Sequence, residues 1–342
     1  MTTSQMEFEI KQTPEVLERL LQNQQQFETA VARIKSSSIK SVMIVARGTS
    51  DNAAHYLKHL IEVELGIPVG LASPSVVSIY GAKLYYSETL VIALSQSGQS
   101  PDLVAYLKAA RDGGALTLGI TNDANSTLAK CVELNLDLLA DREMAVAATK
   151  SYTAQLFASL CLVSHWKGLE SSFDGLTAEV TRILGALDGL DDVLKSLDVK
   201  YPIVALGRGF SYGNARELAL KIQETSHIPV QGMSTADYLH GPIAAVDEET
   251  RALILAPKGT SPDGLKEAIS QLRTITKHLI WVGDSSWAMG GELSLQGSKM
   301  DSEQVSTVLD AILLQMIACK FAIKNGFNPD APKGLSKVTL TI

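Results

Sequence analysis

The chain has 342 residues, of which 46% are apolar and 20% charged, and its formal net charge is −7 at pH 7. This composition is typical of a folded globular protein and excludes a disordered or collagen-like chain. The acidic balance argues against general binding to nucleic acid or to an acidic membrane surface, since both need a basic face.

The cysteines and the N-terminus exclude further classes of protein. The 3 cysteines form no CxxC pair, so neither a disulfide framework nor a zinc site is predicted. The first ten residues lack the pattern of a signal peptide, and no run approaches the ~18 apolar residues that span a bilayer. We therefore expect a soluble, cytoplasmic protein.

An internal repeat divides the chain into two copies. Residues 45–69 align with residues 206–230 at an offset of 161, and nine of 25 positions are identical. The same offset places Gly98-Gln-Ser-Pro-Asp102 on Gly259-Thr-Ser-Pro-Asp263 without a gap. One register held over this distance indicates two homologous halves.

In chain order, the pattern predicts a helix around 14–29, with Thr13 as its cap and Pro14 at its first position. Strands and helices then alternate in each copy. The predicted strands are 41–46, 89–94, 116–120, 201–206, 252–256 and 279–282. The predicted helices are 51–65, 151–167, 177–196, 212–226 and 304–325, the last of which should cover the second sheet.

This alternation predicts an α/β fold in which each copy forms a parallel, doubly wound sheet flanked by helices. The expected organisation is an N-terminal helical segment (1–35), a first domain (36–170), a helical linker (171–198), a second domain (199–325) and a C-terminal tail (326–342).

The loop after the second predicted strand differs between the copies. The first copy has Ser95-Gln-Ser-Gly-Gln-Ser100, where the second has Ala256-Pro-Lys-Gly-Thr-Ser261. Both continue with Pro-Asp, which predicts a helix start with the serine as cap. Hydroxyl and amide donors beside a helix N-terminus favour an anion, phosphate above all, and Ser50 should converge on the same sheet edge. A plain polar turn is the alternative.

The helix predicted at 212–226 also differs between the copies. It carries Glu217, Lys221 and Glu224 on one face, where the first copy has Tyr56, Leu60 and Val63. This charged face predicts either a solvated ladder of salt bridges or a cleft in which one carboxylate transfers protons beside the lysine.

His240 lies in a turn sequence of the second copy, at the position that Ile79 has in the first. Its imidazole is suited to moving protons near neutral pH, but a surface histidine would leave the same signature. No dinucleotide or Walker motif and no metal-ligand spacing is present, so no cofactor or metal is implied.

Several motifs occur together along the chain: Arg47-Gly-Thr-Ser50, Leu94-Ser-Gln-Ser-Gly98, Ala148-Thr-Lys-Ser-Tyr-Thr-Ala-Gln155, Gly207-Arg-Gly209, the 217/221/224 set, His240-Gly-Pro242 and Ala331-Pro-Lys-Gly-Leu-Ser-Lys337. Their combination resembles the isomerase half of glucosamine-6-phosphate synthase over nearly the whole chain. The resemblance implies two tandem SIS (sugar isomerase) domains.

The resemblance also implies roles for the matching residues. The sugar phosphate would be held by Ser50, Ser95, Gln96, Ser97 and Ser100. The proton between C1 and C2 would be moved by Glu224, with support from Glu217 and Lys221. His240 would open the sugar ring from the neighbouring subunit of a homodimer, and Lys337, on a tail that closes the site, would meet the sugar carbonyl. Further pocket residues would be Thr49, Val146, Ala148 and Ser336.

The phosphate residues come from the first copy and the base from the second, so both copies are expected to serve one cleft.

Two departures from the synthase change the expected reaction. No cysteine precedes Cys131, so we expect no glutamine-hydrolysing domain and no glutamine as nitrogen donor. The synthase-like Ser-Gly-Glu-Thr is here Ser97-Gly-Gln-Ser100, which keeps the hydroxyl. An isomerase half without an ammonia source is most useful in reverse. The chain thus resembles the stand-alone SIS-type glucosamine-6-phosphate deaminase, which would form fructose-6-phosphate and ammonia without a cofactor.

Two other interpretations stay open. A plain aldose–ketose phosphosugar isomerase or a fructosamine-phosphate deglycase would keep the phosphate pocket and Glu224, and no residue distinguishes these reactions. A non-catalytic phosphosugar sensor would need neither Glu224 nor Lys337. Residues 1–40 are too short and insufficiently basic for the DNA-binding domain that such a regulator usually carries.

Overall fold

The computed structural model describes residues 3–169 and 173–337. The first two residues, the last residue of the predicted first domain, the first two of the predicted linker and the last five of the predicted tail therefore lie outside the described residues. The chain divides into two compact units. The first-copy unit comprises Glu15–Glu143, Lys150–Asp174 and the tail from Ser336. The second-copy unit comprises the N-terminal residues through Pro14, Met144–Thr149 and Gly175–Leu335.

The N-terminal residues form three helices, α1 (Gln5–Ile10), α2 (Thr13–Gln22) and α3 (Gln25–Lys35). The single helix predicted around 14–29 is thus wrong. The Gln24 side-chain amide donates to the Leu20 carbonyl, which takes the place of a backbone bond and breaks the helix there. Thr13 is the first residue of α2, and its hydroxyl donates to the Ile10 carbonyl instead of capping.

The first-copy unit holds a five-stranded parallel sheet in the order β2-β1-β3-β4-β5. Its strands are β1 (Ser41–Val45), β2 (Val69–Leu71), β3 (Thr89–Ser95), β4 (Leu116–Thr121) and β5 (Leu134–Asp137). Its further helices are α4 (Gly48–Leu65), α5 (Ser75–Ser78), α6 (Pro101–Asp112), α7 (Thr127–Cys131) and α8 (Lys150–Lys167). The core on one side of this sheet includes Val45 and Ala93 packed with Leu103 and Leu107 of α6.

The second-copy unit repeats this topology, with a parallel sheet in the order β7-β6-β8-β9-β10. Its strands are β6 (Ile203–Gly207), β7 (Val230–Ser234), β8 (Arg251–Ala256), β9 (Leu279–Gly283) and β10 (Leu293–Gln296). Its helices besides α1 are α9 (Leu176–Gly185), α10 (Leu190–Ser196), α11 (Tyr212–Ser226), α12 (Thr235–Leu239), α13 (Lys266–Ile275) and α14 (Glu303–Lys324). The predicted α/β class with two parallel sheets is confirmed.

Two predicted helices of the second copy differ from the structure. The helix predicted at 177–196 is two helices, α9 and α10, and α10 begins after Gly189, whose φ is 90°. The Ser261-Pro-Asp sequence begins a 3₁₀ turn instead of an α-helix. Gly264 follows it where the first copy has Leu103, and glycine is a poor helix former.

Helix α14 differs from the expectation that no segment approaches the apolar length needed to span a bilayer. Its 22 residues contain an 18-residue window of mean hydropathy 1.6, so by length and composition it could cross a membrane. However, 89% of that window is buried, and α14 packs against α11. Such burial is typical of the core helix of a soluble protein.

Candidate active site

The serine loop, residues 95–100, is held by the backbone of its own unit. The Asn122 amide donates to the Gln96 carbonyl at 3.2 Å, and the Leu128 amide donates to the Gly98 carbonyl at 3.0 Å. Gly98 has a φ of 61°, and a Cβ there would lie 2.2 Å from the Ser126 Oγ. Only glycine fits at this position, so the loop has one well-defined shape.

Three predicted phosphate-binding hydroxyls share a hydrogen-bond pattern. Ser95 Oγ accepts from the Gly98 amide at 3.0 Å, and Ser97 Oγ accepts from the Gln99 amide at 3.3 Å. Ser50 Oγ accepts from Gln155 Nε2 at 2.9 Å. In each bond the serine oxygen is the acceptor, so its own O–H can donate elsewhere, and the incoming N–H polarises it. The loop can therefore present hydroxyl donors to an anion.

Ser100 begins α6 as the sequence predicts, but its hydroxyl does not bond to the helix. It is the N-cap of α6, with Pro101 as the first helical residue, but its hydroxyl makes no capping hydrogen bond. The predicted helix start with Ser100 at the N-cap position is confirmed, whereas the predicted capping bond of its hydroxyl is absent. Since the hydroxyl is not used on the α6 amides, Ser100 and the partly buried Gln96 stay suited to the anion role that the resemblance implies.

The parallel sheet explains why these side chains share one edge. Strands β1 and β3 are parallel neighbours, with Val45 opposite Ala93. Ser50 follows β1, in the first turn of α4, and the serine loop follows β3. Carboxyl ends of parallel strands meet at one edge, which is where open α/β sheets bind ligands. Thr49, partly buried, precedes Ser50 in the same turn.

A buried ion triad lies on α11 of the second-copy unit. Lys221 Nζ lies 3.5 Å from Glu217 Oε1 and forms a shorter contact with Glu224 Oε2. The Lys221 and Glu217 side chains are each 1% exposed, whereas Glu224 is 22% exposed. The solvated ladder is thus wrong for Glu217 and Lys221.

The triad places two carboxylates beside one ammonium group. Glu217 and Lys221 are withdrawn from water, whereas the Glu224 side chain stays partly exposed. A carboxylate that is oriented by a buried cation and still reachable has the geometry of a general base. The first copy has Tyr56, Leu60 and Val63 at the corresponding positions, so this arrangement is specific to the second copy.

His240 is exposed at the surface of its unit, directly after α12. Gly241 follows with a φ of 150°, and Pro242 begins a 3₁₀ turn. Gly241 and Pro242 restrict the backbone on the C-terminal side of the exposed His240.

Lys337 forms an ion pair with a carboxylate that the sequence did not single out. Its Nζ lies 2.8 Å from Glu143 Oε2, and the Glu143 side chain is 0% exposed. The same carboxylate accepts from the Ser151 amide at 3.2 Å and from the Ser151 hydroxyl at 2.7 Å. In the sequence, Glu143 is marked only as the last of three charged residues, Asp141-Arg-Glu143, before the apolar run 144–148.

The remaining predicted pocket residues lie on irregular segments. Ser336 is exposed beside Lys337, and Val146 and Ala148 are partly buried in the Met144–Thr149 segment of the second-copy unit. Buried Glu9 of α1 holds that segment by accepting from the Met144 and Ala145 amides. Across residues 3–169 and 173–337, no group of three or more His, Cys, Asp or Glu could hold a metal ion.

The structure therefore assembles two groups of candidate residues, each within one unit. The first-copy unit carries the serine loop with Ser50, and also the Glu143–Lys337 pair. The second-copy unit carries the 217/221/224 triad and His240. The sequence did not identify Glu143 as the partner of Lys337. Gln155 occurs in one of the motifs, but its hydrogen bond to Ser50 was not predicted.

Comparison with known proteins identifies relatives over most of the chain. A glutamine–fructose-6-phosphate aminotransferase (isomerizing) from Gloeobacter violaceus is 31% identical over 355 aligned positions, which cover 96% of this chain and 57% of the relative. A similar enzyme from Arabidopsis thaliana is 29% identical, with 88% of this chain and 47% of the relative covered. The chain spans about half the length of the curated relatives it matches.

Solved structures with the same fold include two proteins of similar extent. One, from Silicibacter pomeroyi, bears a provisional assignment as a phosphosugar isomerase. It is 29% identical, with a TM-score of 0.85 and coverage of 96% of this chain and 100% of the other. Glucosamine-6-phosphate deaminase from Thermotoga maritima is 23% identical, with a TM-score of 0.77 and coverage of 99% and 100%.

The family model described as "SIS domain" matches twice, at residues 37–164 and 197–324. The two matches follow the internal repeat, and each contains all five strands of one parallel sheet. This protein is a member of the SIS domain family, with two SIS domains in tandem.

Proposed function

We propose that this protein is a phosphosugar isomerase that acts on an amino sugar phosphate and releases ammonia, with glucosamine-6-phosphate as its substrate. The observation that carries the proposal is the α11 triad, in which buried Lys221 contacts a Glu224 carboxylate that stays partly exposed. The similarity to the aminotransferases and to glucosamine-6-phosphate deaminase from Thermotoga maritima supports the substrate class.

In the proposed reaction the serine loop and Ser50 hold the phosphate through hydroxyl donors. This anchoring supplies binding energy away from the reacting carbons, which keeps C1 and C2 in register. His240, contributed by the second subunit of a homodimer, assists opening of the sugar ring. No cofactor takes part in these steps, and neither nucleic acid nor membrane is expected as a partner.

The proton transfer is assigned to Glu224. Its carboxylate removes the proton from C2 of the open-chain amino aldehyde and returns it to C1. The C1 oxygen gains one proton and the amine loses one, which yields the imine of fructose-6-phosphate. Water then adds to the imine carbon, and ammonia leaves. Lys337 stabilises the oxyanion that develops at the sugar carbonyl.

Ammonia release distinguishes this proposal from its closest alternative. The purified chain is mixed with glucosamine-6-phosphate, and ammonia and fructose-6-phosphate are both followed, with galactosamine-6-phosphate as a second substrate. We expect ammonia and fructose-6-phosphate in equal amounts from glucosamine-6-phosphate. Ammonia from galactosamine-6-phosphate alone, together with the C4 epimer of fructose-6-phosphate, would mean that the substrate is the other amino sugar. Binding of phosphosugars without turnover of any of them would overturn the proposal and favour a sensor.

A second candidate function is a plain aldose–ketose isomerase or a fructosamine-phosphate deglycase, since either would use the same phosphate site and the same base. Interconversion of glucose-6-phosphate and fructose-6-phosphate without ammonia would favour the isomerase. Release of a free amine from a fructosamine phosphate, with no reaction of glucosamine-6-phosphate, would favour the deglycase.

A further inference from the structure

A half-buried ion pair joins the two loops that carry the phosphate-binding serines. Arg47 Nε donates to Asp102 Oδ2 at 2.9 Å, and Arg47 Nη2 lies 2.9 Å from the same oxygen. The other carboxylate oxygen, Oδ1, accepts from the Leu103 amide at 2.8 Å. The Asp102 side chain is 0% exposed, whereas Arg47 is 47% exposed.

The positions of Arg47 and Asp102 in the chain explain what their ion pair connects. Arg47 is the N-cap of α4 and comes directly before the turn that carries Thr49 and Ser50. Asp102 lies in the first turn of α6, directly after the serine loop. The pair thus ties the two serine-bearing turns together at the sheet edge. A guanidinium that places two N–H groups on one carboxylate is directional, so it fixes distance as well as charge.

The second copy has the same residue types at the same positions but not the same contact. Arg208 and Asp263 are the counterparts of Arg47 and Asp102, and both are exposed. Within the part of the chain that the structure describes, these two form no ion pair with each other. The second copy also lacks the serine loop. The ion pair therefore accompanies the phosphate-binding loop and not the shared scaffold.

We infer that the Arg47–Asp102 pair is a positioning device that holds the Ser50 turn and the serine loop at the separation a sugar phosphate needs. Arg47 acts through Asp102 and not as a direct phosphate ligand. This inference rests on the proposed phosphate role of the serines, but it does not depend on which reaction follows. Loss of the pair would let the two turns separate while leaving the α11 triad intact.

The experiment is a double-mutant cycle of binding and kinetics. Fructose-6-phosphate and inorganic phosphate are titrated by calorimetry into wild type, Arg47→Ala, Asp102→Ala and the double variant, with unphosphorylated fructose as a blank. We expect each single variant to weaken binding about 10-fold, and the double variant to lose little more, because the two residues act as one unit. With substrate, KM should rise about 10-fold while kcat changes less than about 3-fold.

Matched variants keep the test interpretable. Arg208→Ala removes the counterpart arginine and should leave phosphosugar affinity unchanged. Arg47→Lys keeps the charge but not the paired N–H geometry, so its affinity should lie between those of wild type and Arg47→Ala. This variant still tests the inference where Arg47→Ala folds poorly. Thermal melting of each variant reports on folding separately.

Three results would overturn the inference. Equal affinity of wild type and Arg47→Ala would mean that the pair does not position the loops. Additive losses in the double variant would make Arg47 a direct ligand of the phosphate. If wild type itself binds no phosphosugar, the proposed function fails together with the inference, whereas the first two results leave the proposed function standing.

Discussion

Single side chains in this protein do different work according to the copy in which they lie. The serine hydroxyls of the first copy accept protein N–H groups and so keep their own protons for a ligand. Lys221 of the second copy takes the position of Leu60 in the first copy, and its ammonium group contacts two carboxylates. The other copy keeps the same fold with Ala256 in place of Ser95 and Leu60 in place of Lys221, so the fold alone does not require these two side chains.

Replacement of the proposed base tests the proton-transfer step. Glu224→Gln keeps the size of the side chain and its contact with Lys221 but cannot accept the proton. We expect kcat to fall at least about 100-fold, while affinity for fructose-6-phosphate stays within a few-fold of wild type. Glu62→Gln is the control, because Glu62 pairs with Lys58 on α4 of the first copy. A Glu224→Gln variant with most of its rate would show that the base lies elsewhere.

Replacement of a loop hydroxyl tests the phosphate site. Ser97→Ala removes one polarised donor without disturbing Gly98, whose conformation sets the loop. KM should rise about 10-fold and more than kcat falls, since a phosphate contact is made equally in the ground state and the transition state. Ser261→Ala, in the corresponding loop of the second copy, should leave KM unchanged. Steady-state kinetics of the two variants decide the matter, and equal effects would contradict the assignment.

The candidate residues could be predicted from the sequence more fully than their contacts could. The difference between the copies drew attention to the serine loop, the α11 face and His240. It could not reveal that Glu143 meets Lys337, since the two residues are 194 positions apart. It also could not reveal that Asp102 is paired when Asp263 is not, because both lie in the same local sequence.

At the level of helices and strands, prediction succeeded wherever an element is buried on both faces. Helix α11 begins and ends at the predicted residues, and the six central strands were all found within two residues. The four strands that were missed, β2, β5, β7 and β10, are the four edges of the two sheets. Edge strands are short and partly solvated, so they lack a continuous apolar run.

The buried triad should stabilise the fold, whatever its part in the proposed reaction. Lys221→Met would leave Glu217 buried without its cation, and removing one partner of a buried ion pair typically costs 3–5 kcal/mol. We expect a loss of about that size in urea denaturation. Lys58→Met, which breaks a partly exposed pair on α4, should cost less than about 1 kcal/mol. Similar losses for both variants would contradict the buried character of the triad.

Helix α14 contains a buried acid that couples stability to pH. Burial raises the pKa of Asp310 to about 7, with Glu179 and Asp284 raising it further and Arg182 and the Ser298 amide lowering it. One of its oxygens has no hydrogen-bond partner among the described residues. Because the folded state holds this proton more tightly than the unfolded state, the contribution of Asp310 to stability is lost as pH rises from about 4 to about 7.

Asp310→Asn should remove that dependence. Relative to wild type, the variant should gain stability steadily between pH 4 and pH 8, by at most about 4 kcal/mol. Thermal melting of both proteins across this range measures the difference. A difference that is constant with pH, or one that falls as pH rises, would mean that Asp310 is ionised in the folded protein throughout.

The whole molecule is one sheet topology used twice, in the order 2-1-3-4-5 within each copy. The family match repeats at the same interval as the sequence. The two copies differ in their polar residues, since the serine loop lies in the first copy and the ionisable triad in the second. In the proposed homodimer, each active site also takes His240 from the neighbouring subunit. This residue lies exposed on its own unit.

Mixing two inactive variants tests the origin of His240. If His240 acts on the neighbouring subunit, a dimer of His240→Ala with Glu224→Gln has one site with both residues intact. Random exchange of subunits should then restore about a quarter of wild-type activity, since half of the dimers are mixed and each has one good site. Each variant alone is the control. No recovery after demonstrated exchange would place His240 in its own subunit's site.

The grip of Glu9 on the Met144 and Ala145 amides bears on how this protein can be shortened. A chain trimmed to start at residue 37, where the first family match begins, would keep both sheets yet strand two backbone donors beside Val146 and Ala148. Helix α1 thus fixes a segment more than a hundred residues downstream through Glu9. A shortened chain should therefore keep residues 5–10 if residues 144–149 are to hold their conformation.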